Sequence, residues 1–174
     1  MQTLMVPVAE LLGTPGRYRD ISVSEPIGDV GTALARLDPG PVEATLRAES
    51  VVEGILVTGR VRADASAQCA RCLRDLPTEV GVDVCELFAA PGATDVEDDA
   101  YRVSGTEIDL EPMLRDALAL GLPLNPLCNR DCKGLCAGCG TDLNAAECVC
   151  STESSDPRWA PLEALRERLE SQRA

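Results

Sequence analysis

Eight of the nine cysteines stand in close pairs, and thiolates at such spacings are the groups with which a small protein grips a soft or borderline metal ion. Four of them fall in one stretch, GLCAGCGTDLNAAECVC. There Cys136 and Cys139 form a CxxCG knuckle, and Cys148 and Cys150 form a CxC pair after an eight-residue loop. That arrangement can set four thiolates around one tetrahedral ion without help from the rest of the chain. The other four are spread out, Cys69 and Cys72 in QCARCLRD and Cys128 and Cys132 in PLCNRDCKG. If the later quartet closes on itself, the earlier pairs are left as a second complete ligand set. The expectation is two structural zinc ions in all-thiolate shells, with an exchange of Cys132 and Cys136 between the sites as the alternative partition.

Other uses of cysteine fit less well. A disulfide framework needs an oxidising compartment, and the opening MQTLMVPVAELLGTPG has no basic segment followed by an unbroken apolar run, so the chain reads as cytoplasmic. A thioredoxin-like CxxC opens a helix after a strand, whereas CARC lies between two strand-like segments. Iron–sulfur ligation stays open, because four thiolates alone do not choose between iron and zinc. Cys85, in VDVCELF, reads as a buried strand residue acting as a small hydrophobe.

Composition removes most catalytic chemistry. With no histidine in 174 residues, His-dependent triads, zincins and phosphotransfer mechanisms are unavailable. No GxxxxGK[ST] loop or GxGxxG turn is present, so nothing argues for a nucleotide site. The reading is a protein without enzymatic activity.

Charge speaks to partners. Twenty-nine acidic against 16 basic side chains give a net charge of −13, the opposite of what affinity through phosphate neutralisation requires. One Phe, one Trp and two Tyr leave few platforms on which bases could stack. An acidic surface suits a basic protein partner. Two local groups are candidate contact residues: the acidic run with Asp95, Glu97, Asp98 and Asp99, and the arginines Arg60, Arg62, Arg71 and Arg74 around the first knuckle.

The elements that must position these groups follow from periodicity. Val42, Ala44, Leu46 and Ala48 alternate with polar residues, as do Val80, Val82 and Val84, which is the period-two signal of half-buried strands. VEATLRAESVV, GILVTGRVRADAS and PTEVGVDVCELF therefore read as a three-stranded antiparallel meander, with CARC in its second connection. Short strands broken by Pro and Gly are expected before it, with TPGRYRD as a turn-rich segment. Residues 89–106 lack apolar periodicity and read as an acidic mobile loop. Leu110, Met113, Leu114, Ala117 and Leu118 recur at helical spacing, with Asp109 as N-cap, Pro112 in the first turn and Gly121 closing the end. A short terminal helix is expected from about Pro161, docked with the help of Trp159.

The fold class expected is α+β: an antiparallel meander or partly closed barrel covered by a helix, followed by a small cysteine-rich zinc module and a short terminal helix. The corresponding parts are residues 1–127, 128–150 and 151–174. No stretch is long and apolar enough to cross a membrane.

The order of these features, with the runs IDLEPMLRDALALGLPLNPLC and PLCNRDCKGLCAGCGTDLN, resembles the large ribosomal RNA subunit accumulation protein family (YceD-like) in its cysteine-rich Gram-positive form. The likeness covers most of the chain and is weakest over the first forty residues. It implies a non-enzymatic role in making the large ribosomal subunit, needed for its rRNA to accumulate, and a link to a small large-subunit ribosomal protein. Three readings follow: an assembly factor acting on a basic ribosomal protein and the pre-ribosomal particle, with rRNA contact secondary; a direct rRNA-binding zinc module using the four arginines; and a thiol redox protein using Cys69 and Cys72.

Overall fold

The computed structural model describes residues 4–93 and 100–150, together with Leu162 and Arg166. The chain divides into two compact units, Met1–Cys132 and Lys133–Ala174. In the first, strands β1 (Met5–Pro7), β2 (Tyr18–Pro26), β3 (Ala35–Leu37), β4 (Pro41–Ser50), β5 (Gly54–Gln68), β6 (Asp75–Ala89) and β7 (Glu107–Asp109) lead into helix α1 (Leu110–Gly121). Among the described residues the fold is α+β, a mostly antiparallel sheet with helix α1 against it and no closed barrel.

β4, β5 and β6 form the expected meander. β5 pairs along its whole length with β6, while its other side takes β4 over Ile55–Arg62 and the short β3 over Ala65–Ala67. β2 completes the sheet beyond β4. In β4, Val42, Ala44, Leu46 and Ala48 are buried and their neighbours mostly exposed; in β5 the buried set is Ile55, Val57, Val61, Ala63, Ala65 and Ala67. One face is therefore apolar and the other solvated, as an antiparallel sheet allows. The helix covers the apolar face with Leu110, Met113, Leu114 and Leu118, all buried. β1 and β7 pair with each other and set the helix start, where the Asp109 side chain accepts the Glu111 N–H at 3.0 Å.

Several expectations are corrected. The segment TPGRYRD does not stay a turn: β2 already begins at Tyr18, because Tyr18 to Asp20 find ladder partners in Glu49 to Arg47. Residues 89–106 are not wholly a mobile loop. Ala89 donates to the Tyr101 carbonyl at 2.8 Å and accepts from Val103 at 3.0 Å, and Tyr101 stacks on Phe88 with ring centres 5.3 Å apart. The Tyr101 hydroxyl then reaches Asp116 on α1 at 2.7 Å. Cys85 is exposed rather than buried, since it has the opposite parity to Val80 and Val84 on a strand with one wet face. Of the terminal helix, Leu162 and Arg166 are helical; its other residues, and Trp159, lie outside the described residues.

Gly121 ends the helix for a reason other than the one its position suggested. The cap is Leu122, in extended backbone, and Gly121 is instead a point of close approach between helix and sheet. A Cβ there would meet Val82 Cγ1 at 2.5 Å and Val80 Cγ2 at 2.8 Å. Gly121→Ala should accordingly destabilise the unit by about 1–3 kcal/mol through overpacking, although alanine is the better helix former. Urea unfolding checks this; unchanged or raised stability would show that the helix end can lift away freely.

Candidate metal centres

The turn between β5 and β6 is built for sulfur. The Cys69 N–H donates to the Arg74 carbonyl at 2.9 Å, and the Leu73 N–H returns to the Cys69 carbonyl at 2.9 Å. The second unit repeats the pattern: Cys136 donates to Thr141 at 2.8 Å and Gly140 to Cys136 at 2.8 Å. Both CxxC segments are thus the same knuckle, in which the residue after the second cysteine must turn left-handed. Gly140 does so at φ 74°, but in the first knuckle the position holds Leu73, at φ 58°. A leucine there costs roughly 1–2 kcal/mol relative to ordinary backbone.

Pro123 and Pro126 prevent α1 from continuing and bring the chain back to this turn. Ala70 donates its N–H to the Pro126 carbonyl at 2.8 Å, and the Arg71 guanidinium donates to the Cys132 carbonyl at 2.8 Å. Cys128 and Cys132 thereby join Cys69 and Cys72, with Cys69 and Cys132 sulfurs 3.9 Å apart and Cys72 and Cys128 sulfurs 3.7 Å apart. Three of the four are buried and Cys128 is half-buried.

In the second unit the eight-residue loop is folded by residues that the cysteine spacing did not reveal. Asp142 accepts the Asn144 N–H at 2.9 Å, the Asn144 side chain accepts the Lys133 N–H at 2.8 Å, and Leu143 donates to Gly134 at 2.9 Å. The readable signal was TDLN, an Asx-turn sequence. Cys148 is brought within 3.4 Å of Cys139 and 3.3 Å of Cys136, and the site is more open than the first.

Each quartet, Cys69, Cys72, Cys128 and Cys132 or Cys136, Cys139, Cys148 and Cys150, has its sulfurs within 4.8 Å of one another. Sulfurs around a tetrahedral ion at about 2.3 Å lie roughly 3.8 Å apart, so both sets could hold a metal ion. The nine cysteines are all free of disulfides. The protein's own groups hold the thiols at different proton affinities. Cys69 is pulled down to about 6, first by the Cys72 N–H and then by that of Cys128, and Cys139 to about 6 by the Thr141 hydroxyl and N–H. Cys128 is pushed up to about 12 by the Cys132 thiol and by burial, and Cys150 to about 12 by the thiols of Cys148 and Cys139. Four like-charged sulfurs at this separation cannot all ionise alone, and a dication removes the conflict by drawing every one to thiolate.

The four arginines do not gather at the first knuckle. Arg71 and Arg74 lie in its turn, but Arg62 stands seven residues before Cys69, a strand run of roughly 20 Å. Arg60 and Arg62 project from the solvated face of β5, Arg60 within 3.7 Å of Asp83. Asp95, Glu97, Asp98 and Asp99 lie outside the described residues.

Among the described residues the fold is an antiparallel sheet under a helix, with one cysteine quartet formed by the β5–β6 turn and the 128–132 segment and a second within the small unit. Residues 57–166 match the family model described as large ribosomal RNA subunit accumulation protein YceD. The chain is 43% identical over 166 residues to a protein of Mycobacterium bovis and, equally, to one of Mycobacterium tuberculosis, spanning 91% of this chain and 79% of each relative. A maize protein called large ribosomal RNA subunit accumulation protein YCED homolog 1, chloroplastic, is 27% identical over 162 residues, covering 80% of this chain and 54% of that one. No solved structure matches. The chain belongs to the YceD family of large ribosomal RNA subunit accumulation proteins.

The two quartets join different parts of the chain, the first the β5–β6 turn to the segment after α1 and the second residues within 136–150. Cys72→Ser should lower the melting temperature of the sheet by more than about 10 °C, because it opens the link between the hairpin and the chain leaving α1. Cys139→Ser should leave that transition in place, with calorimetry as the check; equal loss in both variants would contradict the division. Leu73→Gly should raise stability by on the order of 1 kcal/mol in chemical denaturation, by relieving the left-handed leucine.

Proposed function

We propose that the chain is a non-enzymatic, cytoplasmic factor in large ribosomal subunit biogenesis, needed for large-subunit rRNA to accumulate, and that it works by holding a basic large-subunit ribosomal protein within the pre-ribosomal particle. Family membership carries the process, and the net charge of −13 carries the choice of partner. Complementary potential steers a basic protein to such a surface, whereas bare rRNA would be repelled from most of it.

Zinc is the ion proposed for both quartets. It has no geometric preference of its own and takes four thiolates in closed structural shells, which suits sites built from two pre-bent knuckles and offering no open position. Elemental analysis after anaerobic purification should find about two zinc ions per chain; fewer than one, or iron in its place, would overturn this assignment.

Direct rRNA binding is the second reading, favoured by the presence of Arg71 and Arg74 in the first knuckle. Against it, Arg71 is spent on the carbonyls of Cys132 and Arg130, and Arg60 is near Asp83. Thiol redox chemistry at Cys69 and Cys72 fits least, since each sulfur lies against one from the 128–132 segment.

A binding titration at two salt concentrations separates the first two readings. The chain should bind purified basic large-subunit ribosomal protein more tightly than an rRNA fragment. Replacing Asp95, Glu97, Asp98 and Asp99 by amides should chiefly slow association at low salt. Tighter binding of the rRNA fragment at physiological salt, lost when Arg60, Arg62, Arg71 and Arg74 are replaced, would transfer the function to the RNA-binding reading.

A further inference from the structure

β6 runs for 15 residues and, among the described residues, pairs with no strand but β5; apart from a bridge at Ala89, its other side is a strand edge. Its last residue tells which peptide groups face that edge. Ala89 exchanges hydrogen bonds with Tyr101 and Val103 on the far side, while Ala90 donates back to Glu53 beside β5. The N–H and C=O of one strand residue point the same way, and those of its neighbours the opposite way. Glu79, Gly81, Asp83, Cys85 and Leu87 therefore turn both groups outward, and among the described residues no hydrogen bond reaches them.

Long unpaired edges recruit another chain, and proteins usually blunt them with lysine, proline or a bulge. This edge has Pro77 near one end, no bulge in its register with β5, and no lysine or arginine. Its charged residues are all acidic: Asp75, Glu79, Asp83 and Glu86. Glu79 stands directly opposite Asp64 on β5, a like-charge pair that destabilises the sheet when nothing compensates it. Neither carboxylate takes part in an ion pair among the described residues.

A second copy of the chain, pairing β6 with β6, would set acid against acid. The occupant that fits has basic side chains on alternate residues, beside Glu79 and Asp83 on the wet face. Its intervening residues are apolar, beside the half-buried Leu76 and Val82 on the helix face. We infer that the open edge of β6 is a strand-addition site for an extended basic segment of the partner protein. This rests on the ribosomal-protein reading above and gives it a mode of contact, in which main-chain hydrogen bonds supply affinity and alternate side chains supply selectivity.

The test uses the full metal-loaded chain and a nonapeptide of alternating arginine and valine, with the same peptide N-methylated along its backbone as a control that keeps the charge and loses the donors. Residue-resolved amide exchange should slow by at least about tenfold at Glu79, Gly81, Asp83, Cys85 and Leu87 with the first peptide and not with the second. No slowing there, or equal slowing with both peptides, overturns the inference. Gly81→Pro removes one outward N–H and leaves the β5 ladder whole, and a Cβ at this position meets nothing closer than Arg62 Cγ at 3.8 Å. The variant should keep its metal and its melting temperature but bind the peptide at least about tenfold more weakly. If Gly81→Pro still captures the basic ribosomal protein as well as the parent chain does, the edge is not the contact and the ribosomal-protein reading survives without it; if neither form captures it, that reading falls as well. Should the variant not fold, the methylated peptide decides alone.

Discussion

Closure of the β5–β6 turn by sulfur is the constraint on which the first unit depends. Along β5 the inward side chains run Ile55, Val57 and Val61, and then only alanines, Ala63, Ala65 and Ala67. Each alanine buries far less apolar surface than valine or isoleucine, so the core thins as the hairpin approaches its tip. The end of helix α1 at Gly121 reaches Val80 and Val82, which pair with Ala63 and Val61, short of the tip. What holds the tip is the returning chain: the Ala70 to Pro126 hydrogen bond, the Arg71 guanidinium on the Cys132 carbonyl, and the four converging cysteines. Metal ligation at such a quartet would take the place of hydrophobic area at one end and close a long loop.

The same logic explains which features could be read from the sequence. The meander was legible because Val42 to Ala48 and Val80 to Val84 alternate against one wet face, and period two survives any tertiary context that keeps that face. Helix α1 was legible down to its Asp109 cap. Both quartets were legible because a CxxC and a CxC eight residues apart leave the remaining pairs for each other. The start of β2 at Tyr18 was not, since local turn propensity in TPGRYRD gave way to ladder partners supplied by β4. Tyr101 was hidden because its stacking on Phe88 joins residues across a polar, aperiodic stretch. Leu73 was hidden because only the backbone reveals that it occupies the position glycine fills in the second knuckle.

The knuckles differ in ways that suit separate duties. The first is buried within the sheet unit and its sulfurs join segments far apart in sequence, so its geometry is set by the whole domain. The second is local and more exposed, and its loop is held by Asp142 and Asn144. Each quartet, with a dication and four thiolates, keeps a net negative charge. Metal loading would therefore deepen the acidity of the chain beyond its formal residue count.

Where that negative charge remains free follows from the ladder on the solvated face of the sheet. Asp20 is taken by Arg47 at 2.9 Å, and Asp83 is approached by Arg60 at 3.7 Å. Arg47 also lies 4.2 Å over the Tyr18 ring, so this base is held at the β2 side of the face. Across β5, beyond the Arg60–Asp83 pair, Asp64 faces Glu79, and no base follows in β6. β2 is another open edge of this sheet, but it carries Arg19 among its acids, whereas β6 has acidic charges alone and outward peptide groups that lack partners among the described residues. Charge and hydrogen-bonding capacity thus fall on the same edge, and a partner that supplies both basic side chains and an extended backbone satisfies the two at once.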